Sequence, residues 1–374
     1  MAGIYVHIPF CKQKCVYCAF YSVASDRLKS AYWDALCQEI ELRKDFLPGG
    51  DIDTLYFGGG TPSLCSPSEL ARIINQIHKF HTLDNHFEFT LEANPEQLSK
   101  DYLLALKSLG INRLSIGVQS FDDGILHLLN RRHSAEEARR AVETAAEVGF
   151  QNLSIDLIYD IAFRTAEMWR HDLQVALSLP IRHLSCYALT VEENTLLARR
   201  VREGQPFLPD AADTERDYAI LSQMTAEADF QQYEISNFAK NGCVSRHNSS
   251  YWYGKPYLGL GAAAHSFRSP VRQWNVSNLQ LYINSINRGK PAVEKETLTP
   301  QQQYNEFVLL RLRLNEGLHF DELEKQFGTE SLVSFQRQLK KVNPSHYSLS
   351  DGRMQLTYAG RLFADDIAAT LFAD

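Results

Sequence analysis

Three cysteines near the start of the chain are the residues whose type and spacing most clearly predict chemistry. Cys11, Cys15 and Cys18 follow the pattern C-x3-C-x2-C, so their thiolates are close enough in sequence to converge on one metal centre. A closed structural zinc site takes four ligands, often as two separated cysteine pairs. The chain has no second C-x2-C pair, and its other cysteines are scattered singly: Cys37, Cys65, Cys186 and Cys243.

The pattern of three cysteines leaves more than one kind of site open. A 4Fe–4S cluster normally takes four thiolates, so a cluster held by three would leave one iron open for an outside ligand. Three buried thiols, or a zinc ion completed by a histidine, are the alternatives. Phe20 stands two residues after Cys18, where a fourth cysteine would extend the pattern. The dense spacing favours the cluster.

A second set of candidate residues follows the predicted strands. The stretch GGGTP, Gly58–Pro62, comes directly after a strand, and its glycines allow the backbone to approach a ligand closely, although a tight turn also explains them. Glu92, Gln119 and Asp156 lie at or near the ends of three further strands. Because the C-terminal ends of parallel strands share one face of a barrel, we expect these residues and the cysteines to meet at one mouth.

The order of the elements predicts an α/β fold. The candidate strands are Ile4–Ile8, Thr54–Phe57, Phe87–Glu92, Arg113–Gly117, Asn152–Leu157 and His183–Tyr187. Capping boxes at Ser66–Glu69 and Ser134–Glu137 predict the starts of two of the intervening helices. Six such strand–helix units predict an incomplete, TIM-like (β/α)6 barrel over residues 1–235, with parallel strands joined by crossover helices.

Residues 236–374 are predicted to form a second, smaller domain. Its first part is rich in asparagine, serine, glycine and aromatic residues and lacks helical periodicity. Amphipathic helices return after Thr299, and Asp351-Gly352 predicts the turn of a hairpin. Helices followed by a hairpin indicate an α+β, winged-helix-like module.

Composition limits the classes of function. The 374 residues carry a net charge of −7, which argues against a wide surface for nucleic acid. The sequence has no secretory signal and no apolar run of about 18 residues, so we expect no transmembrane segment and a cytoplasmic location. Seven cysteines, three of them crowded together, favour metal binding over disulfides in that compartment.

The motifs resemble those of the radical S-adenosylmethionine (SAM) superfamily, where an aromatic residue (here Tyr17) precedes the last cysteine of C-x3-C-x2-C. Further segments resemble the branch that holds the oxygen-independent coproporphyrinogen III oxidases and the HemW haem chaperones. In chain order these are YVHIPFC, GGGTP, LEANPE, SIGVQSFDD, LNRRHS, SIDLIY, YALTVEENT and YEISNFA. Phe20, in place of a fourth cysteine, and residues 247–252, which fit the HNxxYW signature, favour the chaperone group.

The resemblance implies cofactors and the residues that hold them. Cys11, Cys15 and Cys18 would ligate a 4Fe–4S cluster, with SAM chelating its fourth iron. The residues bordering this SAM would be Tyr5, Gly59, Gly60, Thr61 and Glu92, together with the aromatic Tyr17 of the cysteine motif. The positions that match contacts to a second SAM in the oxidases are Gln119, Arg131 and Asp156. The haem-contacting residues would be His247, Asn248, Tyr251 and Trp252.

The haem assignment has alternatives. His247 would offer its imidazole to haem iron, with His7, His265 and Cys243 as alternative axial ligands. Without the resemblance, the HNxxYW segment also fits ordinary packing, in which aromatic residues cover a loop and the histidine is satisfied by hydrogen bonds. The chain departs from the family after its fifth strand, where the usual Tyr-Gly-Leu-Pro turn is replaced by residues 160–165, DIAFRT.

Three functions follow from these patterns. The first is a haem chaperone that binds a 4Fe–4S cluster, SAM and haem, receives electrons from a reductant and delivers haem to an acceptor protein. The second is an oxygen-independent coproporphyrinogen III oxidase, which decarboxylates propionates by radical SAM chemistry. The third is a zinc-stabilised binding protein without radical chemistry.

Overall fold

Six parallel strands form the centre of a twelve-stranded sheet in the computed structural model, which describes residues 2–49 and 51–373 apart from the side chain of residue 85. They are β1 (Ala2–Ile8), β2 (Ile52–Gly59), β3 (Leu83–Ala93), β4 (Arg113–Gln119), β5 (Asn152–Tyr159) and β6 (His183–Ala188). They pair in chain order, and each predicted strand lies within one of them. The predicted open, six-stranded α/β arrangement is therefore confirmed.

Further strands extend both edges of this sheet. They are β7 (Gln231–Gln232), β8 (Asn237–Ala239), β9 (Tyr257–Leu260), β10 (His265–Arg268), β11 (Val271–Asn275) and β12 (Val293–Thr297). The order is β12-β11-β10-β9-β1-β2-β3-β4-β5-β6-β8-β7, with β9 parallel to β1 and β8 antiparallel to β6. Both edges of the parallel sheet are thus covered by later parts of the chain, which leaves neither β1 nor β6 as an open edge.

Helices connect the parallel strands and continue the chain after β6. The connecting helices are α1 (Lys29–Leu42), α2 (Pro67–His78), α3 (Lys100–Ser108), α4 (Asp123–Leu128), α5 (Ala135–Glu147) and α6 (Ala166–Ser178), and those after β6 are α7 (Leu196–Arg202) and α8 (Ala211–Glu227). Both predicted capping boxes form, because Ser66 and Ser134 each accept a hydrogen bond from the backbone of the glutamate three residues later and receive one in return. In the described ranges, no helix combines the length and apolarity that crossing a membrane requires.

The rest of the chain contains a separate small module. Its helices are α11 (Pro300–Arg313), α12 (Phe320–Phe327), α13 (Thr329–Leu339), α14 (Tyr358–Arg361) and α15 (Ala364–Thr370), preceded by α9 (Arg246–Trp252) and α10 (Leu279–Asn287). Its strands are β13 (Leu318–His319), β14 (Tyr347–Ser350) and β15 (Arg353–Leu356). Asp351 and Gly352 both have positive φ at the β14–β15 turn, as the sequence predicts. The α+β module is therefore confirmed.

The predicted domain boundary after residue 235 stays a prediction. The strands that follow it, β8 to β12, belong to the sheet of β1–β6, and α10 packs into the same core. The second apolar core begins at Tyr304 and includes residues as far as Leu371.

Helix α9 forms where the sequence shows no helical periodicity. Ser245 caps it by accepting a hydrogen bond from the backbone of Asn248. The Glu88 carboxylate on β3 also accepts hydrogen bonds from the backbone N–H groups of Arg246 and His247, at 2.9 and 3.0 Å. A carboxylate at this end of a helix satisfies free N–H groups and opposes the positive end of the helix dipole. This cap comes from a residue 158 positions away, which no local pattern reveals.

Candidate functional site

The cysteine loop between β1 and α1 is held in place by backbone hydrogen bonds. Cys11 donates its N–H to the carbonyl oxygen of Val23 at 3.0 Å, and Val23 donates to Pro9 at 2.7 Å, which closes the base of the loop. Val16 donates to Leu129, at the end of α4, at 3.3 Å. The three cysteines are therefore carried by a loop that is fixed to both β1 and the region after β4.

A cavity of about 450 Å³ lies at the C-terminal ends of the parallel strands. It brings together most of the residues that the sequence and the resemblance indicate. These are Cys11, Cys15, Tyr17, Cys18, Gly59, Gly60, Thr61, Glu92, Gln119, Arg131, Asp156 and Asn248. Tyr5, His247, Tyr251 and Trp252 are not among its lining residues. The predicted meeting of strand ends at one mouth is therefore found.

The three cysteines of the loop line the cavity, and all seven cysteines of the chain are free. In the described part of the chain, no three His, Cys, Asp or Glu side chains are grouped closely enough to hold one metal ion. A 4Fe–4S cluster binds each thiolate on a separate iron, so three free thiols on one cavity wall are compatible with it. Burial raises the pKa of the Cys11 and Cys18 thiols, so cluster binding must displace their protons.

Two side chains from other loops donate hydrogen bonds to these sulfur atoms. Thr61 Oγ1 lies 3.4 Å from Cys11 Sγ, and Arg131 Nη1 lies 3.4 Å from Cys15 Sγ. Nη2 of Arg131 donates to Asn94 Oδ1 at 2.8 Å and to the carbonyl oxygen of Gly117 at 2.6 Å. Donors and a positive charge beside sulfur favour the thiolate form that a cluster needs.

The glycine stretch after β2 is required first by the protein's own packing. Gly59 has φ +107°, and a Cβ there would lie 2.4 Å from the ring of His7. A Cβ on Gly60 would lie 2.7 Å from the carbonyl oxygen of Ile8, to which the Gly60 N–H donates at 2.8 Å. The glycines therefore let this stretch lie directly against the end of β1, where the cysteine loop begins.

Glu92 is tied to the glycine stretch. Its carboxylate accepts hydrogen bonds from the Tyr56 hydroxyl at 2.7 Å and from the Gly59 N–H at 3.1 Å. Burial raises the pKa of Glu92 to about 7, although both hydrogen bonds favour the ionised form. The Gly59 N–H is thus already occupied, and Glu92 is the polar group that this part of the wall presents to a ligand.

Gln119 and Asp156 line the same cavity from β4 and β5. Gln119 is nearly buried and has φ +70°, while Asp156 accepts a hydrogen bond from Ser115 at 3.2 Å. Burial raises the pKa of Asp156 above its usual value. The cavity also contains polar residues that the sequence reasoning did not single out: Tyr56, Asn94, Arg113, Ser115 and Ser185. For β4, the alternation of side chains along the strand could have identified them. Residues 113, 115, 117 and 119 point to the same face of the sheet, and all four line the cavity.

The HNxxYW residues lie in three different environments. His247 is fully buried beneath the cavity, with Nδ1 2.8 Å from Thr54 Oγ1 and Nε2 2.7 Å from the Tyr251 hydroxyl oxygen. Asn248 lines the cavity. Trp252 lies next to α11, where the Arg313 guanidinium stands 5.2 Å from its ring centroid. Their positions along the helix thus direct the side chains of His247, Asn248 and Trp252 to different sides, while Tyr251 stays beside His247.

The candidate axial ligands differ in accessibility. Both ring nitrogens of His247 are hydrogen-bonded, and burial lowers its pKa to about 3. His7 is also engaged on both nitrogens, by the carbonyl oxygen of Tyr21 at 2.8 Å and the Tyr5 hydroxyl at 3.1 Å. His265 is exposed and stacks on Trp274. Haem ligation by His247 would require breaking one of its hydrogen bonds, so its haem role stays a prediction.

The unusual turn after β5 is held by contacts of its own. Asp160 stands where the family's glycine stands and has φ +67°, a conformation that Asp tolerates better than most residues. Its carboxylate accepts a hydrogen bond from Thr214 at 2.6 Å. Arg164 is buried, forms an ion pair with Asp172 and stacks on Trp169. The residues that depart from the family pattern thus hold this turn through the Thr214–Asp160 hydrogen bond and the Arg164–Asp172 ion pair.

Comparisons with known proteins agree with this geometry. Residues 5–176 match the radical SAM superfamily, and residues 298–363 match the HemN C-terminal domain. The chain is 34% identical to heme chaperone HemW of Bacillus subtilis over 98% of both chains. It is 32% identical to heme chaperone HemW of Mycobacterium tuberculosis H37Rv, over 99% of this chain and 94% of the relative.

The chain belongs to the HemW family of radical SAM proteins. Its fold is also that of the coproporphyrinogen III oxidase HemN from Escherichia coli, with a TM-score of 0.86 over 100% of this chain and 90% of that one. Sequence identity to HemN is 24%, so this match supports the fold alone. Membership of the superfamily implies a 4Fe–4S cluster and SAM, and the three thiols beside the glycine stretch and Glu92 fit both.

Proposed function

We propose that this protein is a haem chaperone, which holds a 4Fe–4S cluster and SAM in the barrel cavity, binds haem and delivers it to an acceptor protein. The observation that carries the proposal is the similarity to HemW haem chaperones over nearly the whole chain. The cavity supports it, because the cysteine loop, glycine stretch and strand-end acids that such a protein needs line one cavity. A reductant for the cluster and a location in the cytoplasm belong to the same proposal.

Residues of this chain have separate tasks in the proposed site. Cys11, Cys15 and Cys18 would each hold one iron, with Thr61 and Arg131 donating to two of the sulfurs. When bound at the cluster's open iron, SAM supplies a one-electron route to a 5′-deoxyadenosyl radical. Glu92 and the backbone of Gly59 and Gly60 would border its methionyl end. Gln119 and Asp156 line the same cavity, where they would contact a further ligand.

Phe20 favours the chaperone over the oxidase. It occupies the position where a fourth cysteine follows the cluster motif in the oxidases, and its side chain is 65% exposed at the cavity. Single exposed apolar side chains are common, so the position of Phe20 in the motif, rather than its exposure, supports the proposal. A flat apolar ligand such as haem would cover this side chain if it bound in the cavity.

The proposal is tested by a haemin titration of the full-length protein after anaerobic reconstitution with iron and sulfide. The same preparation is assayed for protoporphyrinogen formation from coproporphyrinogen III with SAM and a reductant. We expect saturable haem binding and no turnover. Turnover without stable haem binding would establish the oxidase instead, and a preparation that never forms a cluster would leave the zinc-stabilised protein.

The axial ligand is tested in the same titration. A His247→Ala variant alters the Soret band if His247 ligates the iron, and leaves it unchanged if the ring only packs under the cavity. His265→Ala is the matched comparison, because His265 is exposed and needs no rearrangement to bind iron. Only one of the two variants is expected to shift the spectrum.

A further inference from the structure

Arg113 differs from the other buried arginines of the described chain. Arg43, Arg164 and Arg311 are also less than 9% exposed, and each forms a salt bridge, with Glu39, Asp172 and Glu322 respectively. Arg113 is 1% exposed and has no such partner among the described residues.

One nitrogen of Arg113 is left unsatisfied by the described protein. Its Nε is buried and has no hydrogen-bond partner in the described ranges; the same holds for Nε of Arg164, but Arg164 has Asp172 as its counter-charge. Burying a charge without a counter-charge is strongly unfavourable, so a stable site normally provides an anion for it. No carboxylate of the described residues forms a salt bridge with Arg113, and the guanidinium borders the open cavity.

The position of Arg113 separates it from the cluster end of the cavity. It is the first residue of β4, and it lies four residues, or about 13 Å of strand, before Gly117. The carbonyl of Gly117 binds Arg131, the arginine that reaches Cys15. The cavity therefore has one arginine beside the cysteine loop and a second at its floor.

The titratable groups near Arg113 favour their neutral forms. His247 and His183 are close enough for the charge of Arg113 to lower their pKa values, which burial already lowers, and each has both ring nitrogens hydrogen-bonded to hydroxyl groups. The carboxylates that share the cavity, Glu92 and Asp156, also feel this charge, but burial raises the pKa of both, and neither forms an ion pair with Arg113 in the described structure. Among the described residues, Arg113 therefore has no counter-charge in direct contact.

We propose that Arg113 binds a carboxylate of the haem, one of its propionates, at the floor of the cavity. A guanidinium takes a carboxylate in a paired, two-bond geometry, which suits a buried site. A SAM that chelates the open iron of the cluster would hold its carboxylate at the cysteine end of the cavity, so a carboxylate at the floor would belong to a different ligand. This inference rests on the proposed haem-chaperone function, and a second SAM is the other source of a carboxylate.

The first test needs no substitution. The full-length, cluster-reconstituted protein is titrated with haemin and with haemin dimethyl ester, whose carboxylates are blocked. We expect haemin to bind about tenfold to a hundredfold more tightly than the ester, the range for a charge-assisted hydrogen bond. Equal binding of the two would overturn the inference while leaving the chaperone function intact. Failure of the wild-type protein to bind haemin at all would instead remove the chaperone function.

The second test changes the guanidinium. Arg113→Gln should abolish the preference for haemin over its ester, and Arg113→Lys, which keeps the charge, should retain part of it. Arg182→Gln is the matched control, because Arg182 is exposed immediately before β6. Circular dichroism and thermal unfolding establish that each variant is folded before it is titrated.

A parallel SAM titration identifies the source of the carboxylate. If Arg113→Gln weakens SAM binding and leaves haemin binding unchanged, the floor holds the carboxylate of a SAM and the propionate assignment is wrong. If the variant lowers stability and changes neither affinity, Arg113 is structural and the inference fails. If it fails to fold, Arg113→Lys and the ester comparison decide the question.

Discussion

The cysteine loop and helix α9 carry the two most specific motifs of the chain, but the fold brings the residues of only one of them together. On the loop, all three cysteines line one cavity, together with the glycine stretch that follows the next strand. On α9, the HNxxYW residues separate, with His247 buried under the barrel, Asn248 in the cavity and Trp252 against α11. A motif thus identifies a family equally well whether its residues form one site or several.

The reason for the difference is backbone geometry. An irregular loop fixed at both ends can direct successive side chains to one side, and the bonds at Cys11, Val16 and Val23 fix this one. A helix turns about 100° per residue, so His247 and Asn248 must face different directions. His247 and Tyr251 are four apart and do share a face, where they bond to each other. The loop therefore builds a ligand site, while α9 mainly attaches the second module to the barrel floor.

Removing a cysteine should have the largest effect. Alanine at any one of Cys11, Cys15 or Cys18 is expected to abolish the visible absorption of the reconstituted cluster, because two thiolates do not hold a 4Fe–4S cluster with an open iron. Iron and sulfide analysis measures the loss. Cys37→Ala, on α1 and away from the cavity, is the control and should retain full cluster content. Normal cluster content in any of the three variants would remove that residue from the ligand set.

Gly59→Ala should disturb the packing of the glycine stretch that lines the cavity beside the cysteine loop. The new Cβ would meet the His7 ring at 2.4 Å in a conformation that alanine disfavours. We expect the free energy of unfolding to fall by about 2–4 kcal/mol, from backbone strain and overpacking together. Chemical denaturation measures it. Gly49→Ala, where a Cβ has nothing within 4 Å, should change stability by far less, and a similar loss there would contradict the packing account.

Glu92 should make stability depend on pH. Its folded pKa of about 7 lies above its ordinary value, so the folded protein keeps a proton that the unfolded chain loses between about pH 4.5 and 7. Ionisation therefore opposes folding increasingly as the pH rises through this window. Glu92→Gln cannot ionise, and relative to wild type it should gain about 2–3 kcal/mol between pH 5 and pH 8.

This pH effect is measured by denaturation of the cluster-free protein at several pH values. Glu136→Gln is the control, because hydrogen bonds from Arg139 and Arg140 lower the pKa of Glu136, which stays ionised throughout the window. The difference between that variant and wild type should be flat over the same range. A flat difference for Glu92→Gln as well would show that Glu92 is ionised in the folded protein.

Tyr251→Phe should have the smallest effect and tests the packing role of α9. It removes the hydroxyl that pairs with His247 Nε2 and leaves a buried nitrogen without a partner, at a cost of about 1–2 kcal/mol. Tyr253→Phe, whose hydroxyl bonds to Glu316 at the surface, should cost less. If His247 is the haem ligand, Tyr251→Phe should also strengthen haem binding, because it frees Nε2. Unchanged stability in both variants would contradict the structural role given to this pair.

Much of the fold was predictable from local pattern. The β-branched runs predict all six parallel strands, and both capping boxes form as the spacing of serine and glutamate requires. Helix α9 was not predictable, because the Glu88 carboxylate that helps to cap it lies on β3. The continuation of the sheet through β8–β12 was not predictable either, since strand pairing over such separations depends on where the edges of β1 and β6 come to lie.

The sequence by itself determined the cysteine spacing, the strand ends that carry Glu92 and Asp156, and the family. These depend on neighbours in the chain, and a parallel barrel brings strand ends to one face whatever the details of packing. The tertiary structure alone decided that His247 is buried between Thr54 and Tyr251 and that Arg113 is buried without a salt bridge to any described residue. Burial and pairing depend on which distant residues surround a side chain, and the spacing of residues along the chain does not contain that information.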